Sequence, residues 1–191
     1  MHPSPEASGP VDSETLFKRH AAFVASFLYR LGARESEIDD LVQDVFLSAH
    51  RKGGYAPGPA SPTTFLARLA LEARLAKRRN ESRWRRNQRE DVALATVGTR
   101  PQDPSGAFAE KLATMKLQRA LEAIEPGRRA VFVLFELVGE SCESIAAGLG
   151  LRVGTVHSRL HAARKAFRAH VARTQDKDDP LPVLGSKEEI R

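Results

Sequence analysis

The hydrophobic residues of this chain recur at intervals of three and four positions, and each series ends at a glycine, a proline or a polar stretch. This spacing is typical of helices that bury one face. No stretch alternates between apolar and polar residues with a period of two, so the pattern predicts an all-α protein. The expected helix starts are Asp12 or Ser13, Ser36, Ser61, about Ala109, the segment before Val131, Ser141, and Val153 or Gly154.

The two helices between Ser141 and Phe167 form the most informative part of the sequence. Ser141 is a suitable N-cap, and Gly150 stands where a helix ends in the left-handed conformation. The second helix carries one apolar stripe, formed by Val156, Leu160, Ala163 and Phe167. Two short helices with a glycine turn and a shared core are typical of a helix-turn-helix, whose second helix enters a DNA major groove.

Positive charge is concentrated in this hairpin and in one other helix, although the net charge of the whole chain is only +6. Between Glu143 and Asp176 the chain has six lysines and arginines and no acid. A second basic run, from Arg74 to Arg89, includes the single acid Glu81 and surrounds Trp84. Basic residues near a helix C-terminus stabilise any helix, but this run is longer than that effect requires. Binding of phosphates accounts better for both runs.

The stretch from Asp91 to Ala107 separates the two basic helices and contains prolines, glycines and polar residues with little periodicity. Such a long irregular segment is uncommon inside one compact domain. We therefore expect two small helical domains joined by a flexible linker, the C-terminal domain being the helix-turn-helix. The predicted division is a disordered N-terminus at 1–11, a first domain at 12–90, the linker at 91–107, a second domain at 108–173 and a loose tail at 174–191.

Three stretches of the chain resemble one known family, the extracytoplasmic-function (ECF) alternative sigma factors of bacterial RNA polymerase. They are DDLVQDVFLSAH from Asp39, TFLARLALEARLAKRR from Thr64 and LRVGTVHSRLHAARK from Leu151. The third stretch is the most specific, and the second is weak by itself. The resemblance implies a cytoplasmic, non-enzymatic factor without a cofactor that binds core RNA polymerase through its β′ clamp and β flap and recognises and melts promoter DNA. Members of this family are commonly held by an anti-sigma factor.

The resemblance also implies roles for residues at matching positions. The implied polymerase-binding residues are Asp40, Leu41, Gln43, Asp44 and Leu47. The implied contacts to the downstream (minus-ten) element are Tyr55, Arg74, Lys77, Arg78 and Arg79. The implied contacts to the upstream (minus-thirty-five) element are Arg152, Thr155, His157, Ser158, Arg159, His161, Arg164 and Lys165.

Some of these positions leave room for another interpretation. Tyr55 lies in the glycine-rich loop before the third helix, where it fits either a stacking contact to an unpaired base or a turn tyrosine that packs locally. Arg152 stands where the family has proline, and His157 stands where it has lysine. A promoter preference that differs from other members is therefore expected.

Two other classes of protein are alternatives. A stand-alone helix-turn-helix regulator that binds an operator explains the C-terminal hairpin equally well, but it does not explain the DDLVQDVF stretch joined to a basic helix. A hydrolase or nuclease would need convergent acids, a nucleophile with its base, or metal ligands. His157 and His161 are four residues apart, but no glutamate lies between them as in HExxH, so no metal site is expected.

The composition limits the cellular compartments in which the protein is expected. A single cysteine, Cys142, excludes an internal disulfide. The N-terminus shows no secretory signal, and no apolar run has the length of a membrane-spanning helix. The expectation is a cytoplasmic protein without direct membrane insertion.

Overall fold

The computed structural model describes residues 10–87 and 107–175, and α-helices dominate both stretches. The helices are α1 (Ser13–Arg30), α2 (Glu35–Arg51), α3 (Pro62–Asn87), α4 (Ala107–Glu122), α5 (Pro126–Phe132), α6 (Cys142–Leu149) and α7 (Val153–Gln175). The end of α5 continues into a π-helical segment, Val133–Val138. Within the described ranges, the extended backbone pairs only once, in an antiparallel bridge between Val11 and Tyr55. The prediction of an all-α fold is confirmed.

Helices α1, α2 and α3 pack around one apolar core, which is the core of the first domain. α1 begins where the Asp12 carboxylate accepts a hydrogen bond from Thr15 N at 2.9 Å, as predicted for an N-cap. Phe27 of α1, Val45 of α2 and Leu66 of α3 are fully buried in this core. On each helix the apolar residues recur at intervals of three and four positions and form one apolar face. The three helices pack together through these faces.

The start of α2 differs from the prediction. The sequence predicts that this helix starts at Ser36, but the helix begins at Glu35 and its N-cap is Arg34. The Glu37 carboxylate accepts a hydrogen bond from Arg34 N at 2.9 Å. A glutamate at the third helical position is long enough to reach the backbone of the N-cap residue, and this contact places the start of the helix two residues earlier.

The start of α3 agrees with the prediction. Ser61 Oγ accepts a hydrogen bond from Thr64 N at 3.1 Å, and Pro62 is the first helical residue. Proline is well suited to this position because its missing N–H would have no partner inside the helix. The start of α3 is therefore determined by two adjacent residues, Ser61 and Pro62.

Helices α4 to α7 form the second domain. Glu125 is the N-cap of α5, and its carboxylate accepts hydrogen bonds from Gly127 N and Arg128 N at 3.0 and 3.2 Å. The π-helical segment ends at Gly139, which has a φ of 85°. The apolar stripe expected along α4 is only half buried: Leu112 and Met115 are 40 % and 42 % exposed. The core of this domain starts at Ala120, where α4 reaches the other helices.

The ends of the predicted domains lie largely outside the described residues, which exclude 1–9, 88–106 and 176–191. At the N-terminal boundary, the sequence predicts that Val11 is disordered, yet it pairs with Tyr55. Ala107 was assigned to the linker, yet it is the first residue of α4. The two domains are in contact, and the first turn of α3 lies on α6.

The pairing of Val11 with Tyr55 makes a prediction about two adjacent glycines. Gly53 and Gly54 both have positive φ, 80° and 87°, but only a Cβ on Gly54 would overlap Val11 O, while one on Gly53 would meet no described atom within 4 Å. Gly53→Ala should cost about 1 kcal/mol from backbone strain alone, and Gly54→Ala about 1–2 kcal/mol more because the bridge must open. Urea unfolding of the two variants checks this, and equal losses would contradict it.

Candidate nucleic-acid and polymerase interfaces

Helices α6 and α7 form a helix-turn-helix with the predicted caps. Ser141 Oγ accepts a hydrogen bond from Ser144 N at 3.1 Å, and Gly150 ends α6 with a φ of 66°. Val156 of α7 is fully buried. At the other end of the stripe, the ring of Phe167 stacks on that of Phe132 with the centroids 5.2 Å apart, so α7 is held firmly against α5.

One side of α7 faces solvent and is free to meet a ligand. His157, Ser158, His161 and Lys165 are exposed and lie opposite the buried stripe of this helix. Arg152 is exposed at the start of α7, and Thr155 and Arg159 are half-buried at the edges of the face. The shape and polarity of this side suit insertion into a major groove.

Arg164 is the exception among the residues predicted to contact the upstream element. Its Nε donates a hydrogen bond to Glu136 Oε1 at 2.7 Å, and its guanidinium lies 5.5 Å from the centroid of the Phe135 ring. These contacts tie α7 to the π-helical segment. A contact from Arg164 to phosphate would have to compete with them.

The outer face of α2 is acidic with one apolar residue. Asp40, Gln43 and Asp44 are exposed, and Leu47 is 44 % exposed although it is large and apolar. Leu41 was also predicted to bind a partner, but it is only 1 % exposed and lies in the core. Leu41 lies among the buried residues of this helix, and its contact with a partner stays a prediction.

The C-terminal half of α3 carries the basic surface. Arg78, Arg79 and Arg83 are exposed, and Lys77 is half-buried. Lys77 Nζ lies 4.0 Å from Asp40 Oδ2, so the basic surface of α3 and the acidic face of α2 are neighbours. Trp84, at 62 % exposure, adds a large aromatic ring to this surface and was not among the predicted site residues.

Two residues predicted to contact the downstream element are buried instead. The Tyr55 hydroxyl donates a hydrogen bond to Ala60 O at 2.6 Å, and its ring lies 5.8 Å from that of Phe65. This agrees with the alternative interpretation of a turn tyrosine that packs locally. Arg74 Nη2 donates to Gly32 O at 2.7 Å. In this structure both side chains are buried, and their contact with DNA stays a prediction.

The described part of the chain gives little support for a metal site, a reactive cysteine or a membrane-spanning helix. No cluster of histidine, cysteine and acidic side chains suitable for a metal ion occurs within residues 10–87 and 107–175. Cys142 is buried, and this burial raises the pKa of its thiol. None of the described helices combines the length and the apolar character needed to cross a bilayer.

Comparison with known proteins identifies the family to which these two helical units belong. Residues 16–90 match the model of sigma-70 region 2, and residues 114–167 match that of sigma-70 region 4. The chain is 32 % identical to the RNA polymerase sigma factor CarQ of Myxococcus xanthus over 157 residues, which are 81 % of this chain and 86 % of CarQ. The chain belongs to the ECF sigma factors of the sigma-70 family.

Two further comparisons describe the extent of this similarity. The ECF sigma factor SigE of Mycolicibacterium smegmatis is 29 % identical over 84 % of this chain, but the match spans only 62 % of SigE, less than two thirds of its length. Among solved structures, the sigma factor RpoE of Bartonella quintana, in complex with the anti-sigma factor NepR, superposes with a TM-score of 0.65 at 20 % identity. That superposition covers 83 % of this chain and 96 % of RpoE and supports the fold.

Proposed function

We propose that this protein is an alternative sigma factor that binds core RNA polymerase and directs it to promoters with two recognition elements. The observation that carries the proposal is the presence, on one chain that matches both sigma-70 regions, of two free surfaces with different chemistry. The outer face of α2, with Asp40, Asp44 and Leu47, suits a basic and apolar protein surface. The free side of α7 suits duplex DNA.

The proposed roles are divided between the domains. α7 reads the upstream element from the major groove, and Arg78 and Arg79 of α3 hold the phosphates of the opened downstream element. The chain itself performs no chemical step, because nucleotidyl transfer belongs to the polymerase. This role places the protein in the cytoplasm, where the polymerase and the chromosome are found.

An anti-sigma factor is a further proposed partner. Two similar proteins of known structure, RpoE and CnrH, were solved in complex with NepR and with the cytosolic domain of CnrY, respectively. The outer face of α2 and the free side of α7 both remain available in this structure for such a partner.

Reconstituted run-off transcription tests the proposed function. Purified core polymerase is mixed with the protein and with DNA fragments of its own genome, and the transcripts are sequenced. Transcripts that start at defined sites only when the protein is present support the proposal. If the protein does not bind core polymerase but shifts duplex DNA, the operator-binding regulator is the better assignment.

The proposed contact between α7 and phosphate can be tested with a single side chain. Lys165 is exposed opposite the buried stripe, so Lys165→Ala should weaken binding of the polymerase complex to all upstream sequences alike and reduce the slope of log K against log salt by about 1. His157→Ala, by contrast, should alter the preference among sequences. A salt slope that is unchanged in Lys165→Ala would contradict the phosphate contact.

A further inference from the structure

An acidic side chain of the π-helical segment, Glu136, pairs with a basic side chain of α7. Arg164 Nε donates a hydrogen bond to Glu136 Oε1 at 2.7 Å, and the guanidinium group lies 5.5 Å from the centroid of the Phe135 ring. The Arg164 side chain is 41 % exposed and that of Glu136 is 23 % exposed. The pair therefore lies at the surface, where α7 meets the π-helical segment.

The backbone that carries Glu136 is anchored in the core of the second domain. Val133 and Leu134, which precede it, are fully buried. The carbonyl group of Leu134 accepts hydrogen bonds from Gly139 N and from Glu140 N, the latter at 3.0 Å. Segments of π-helix are rare and frequently lie at functional sites. Here the segment holds one carboxylate against α7.

Arg164 stands at the edge of the free side of α7. It follows His157 by seven residues, and His157 is exposed on that side. Because an α-helix turns by about 100° and rises by about 1.5 Å per residue, the two side chains differ by about 20° in direction and by about 10 Å along the axis. When a recognition helix lies in a major groove, the edges of its free side run beside the sugar–phosphate backbone. Without Glu136, Arg164 would therefore be placed to contact a phosphate.

The pairing with an acid distinguishes Arg164 from the other cations of α7. Among the described residues, Arg164 forms an ion pair with an N···O distance of up to 4.0 Å, whereas the other lysines and arginines of this helix form none. A partly exposed ion pair contributes little to the stability of a fold. Folding stability alone therefore does not account for an acid at position 136.

We propose that Glu136 is a positioning residue that withholds Arg164 from DNA phosphates and so limits the sequence-independent part of DNA binding. The proposal rests on the proposed function, in which α7 binds duplex DNA. Contacts to phosphate supply nearly all of the affinity for non-specific DNA, whereas base contacts distinguish one sequence from another. A phosphate that approaches Arg164 meets the Glu136 carboxylate beside it, and the two negative charges repel each other. The affinity of α7 for DNA therefore depends less on phosphates and more on bases.

A different role for the same pair predicts the opposite effect. If Glu136 oriented Arg164 toward a phosphate, removal of the carboxylate would weaken DNA binding and would reduce its dependence on salt. If Glu136 withholds Arg164, the same removal adds one cation to the DNA-binding surface. DNA binding then becomes tighter, and the slope of log K against log salt becomes steeper by about 1.

The test is a salt titration of the full-length protein with a DNA duplex of random sequence. Glu136→Gln is the main variant, because the amide oxygen of glutamine can still accept a hydrogen bond from Arg164 Nε while the negative charge is lost. We expect this variant to bind severalfold more tightly than the parent at low salt, with a slope that is steeper by about 1. Glu136→Ala removes the same charge and replaces it in the test if Glu136→Gln does not fold.

Two matched variants separate this role from others. Glu14→Gln makes the same change in net charge and frees Lys18, whose Nζ lies 2.6 Å from Glu14 Oε1 in the first domain, so it should leave the slope unchanged. The double variant Glu136→Gln with Arg164→Gln exchanges one neutral pair for another and should restore the slope of the parent. A slope below that of the parent in the double variant would show that Arg164 already contacts phosphate, and would overturn the proposal.

The remaining outcomes of the titration also decide the role of Glu136. An unchanged or shallower slope in Glu136→Gln, or an equal increase in Glu14→Gln, would overturn the proposal. The absence of any binding to duplex DNA, in the parent and in Glu136→Gln alike, would overturn it as well. If the parent does not direct polymerase in run-off transcription, the proposed function fails, whereas the salt titration still decides the role of Glu136 because it needs no polymerase.

Discussion

Asp44→Lys is expected to weaken the binding of core RNA polymerase by about 2–3 kcal/mol, or about 30- to 150-fold. Asp44 is exposed on the outer face of α2, beside the exposed Leu47. The acidic character of this face indicates a basic partner surface. A lysine at position 44 would therefore place a positive charge against the positive charges of the partner. Titration of labelled core polymerase with the variant gives the dissociation constant directly.

Asp39→Lys is the matched control for this experiment. It makes the same charge reversal on the same helix at another exposed position, but outside the proposed docking face. Both variants should unfold at the same urea concentration, because neither side chain enters the core. An equal loss of affinity in both variants would mean that the net charge of α2, rather than a defined face, governs binding.

Local sequence signals predicted the helix-turn-helix well because its boundaries depend on a few short-range contacts. A serine N-cap and a left-handed glycine determine both ends of α6 without help from the rest of the chain, and Ser141 and Gly150 have these roles in the structure. The start of α2 was missed because Ser36 is also a suitable N-cap. The glutamate at position 37 reaches the backbone of Arg34 instead, and only the three-dimensional arrangement decides between the two starts.

Site residues were harder to predict because a family motif does not distinguish free from buried positions. Leu41 belongs to the apolar stripe of α2, and helical periodicity correctly indicates that it is buried, although it stands within the motif. The burial of Tyr55 and Arg74 could not be predicted from helical periodicity. Their burial depends on Ala60 O and Gly32 O, two backbone acceptors supplied by turns.

One feature of the sequence indicates the contact between the domains. Gly148 interrupts an otherwise good helical pattern, and an isolated glycine inside a helix often has a packing reason. Its partner could not be named from sequence, because Thr64, which an added Cβ at position 148 would overlap, lies in the other domain, beyond the stretch that was expected to be a flexible linker. Long-range pairing of this kind follows from the surfaces of both domains together.

Two buried arginines approach the turn at Gly32, and they differ in how well their donors are satisfied. Arg129 donates from Nε and Nη2 to Ile124 O and from Nη2 to Glu122 O, at 2.9–3.2 Å. Arg74 donates only to Gly32 O, and its Nε and Nη1 have no partner among the described residues. Burial lowers the pKa of both guanidinium groups, but arginine stays protonated in proteins, so both are buried cations.

This difference predicts effects of very different size for the same substitution to methionine. Arg129→Met should destabilise the protein by about 3–4 kcal/mol, because the buried carbonyl group of Ile124, just after α4, loses a charged donor. Arg74→Met should change stability by less than about 1 kcal/mol, since the loss of one hydrogen bond is offset by the removal of two unsatisfied buried donors. Thermal and urea unfolding of the full chain measure both effects. Equal losses would show that the Arg74 nitrogens find partners in solution, and a loss confined to Arg74→Met would mean that the cap formed by Arg129 contributes little.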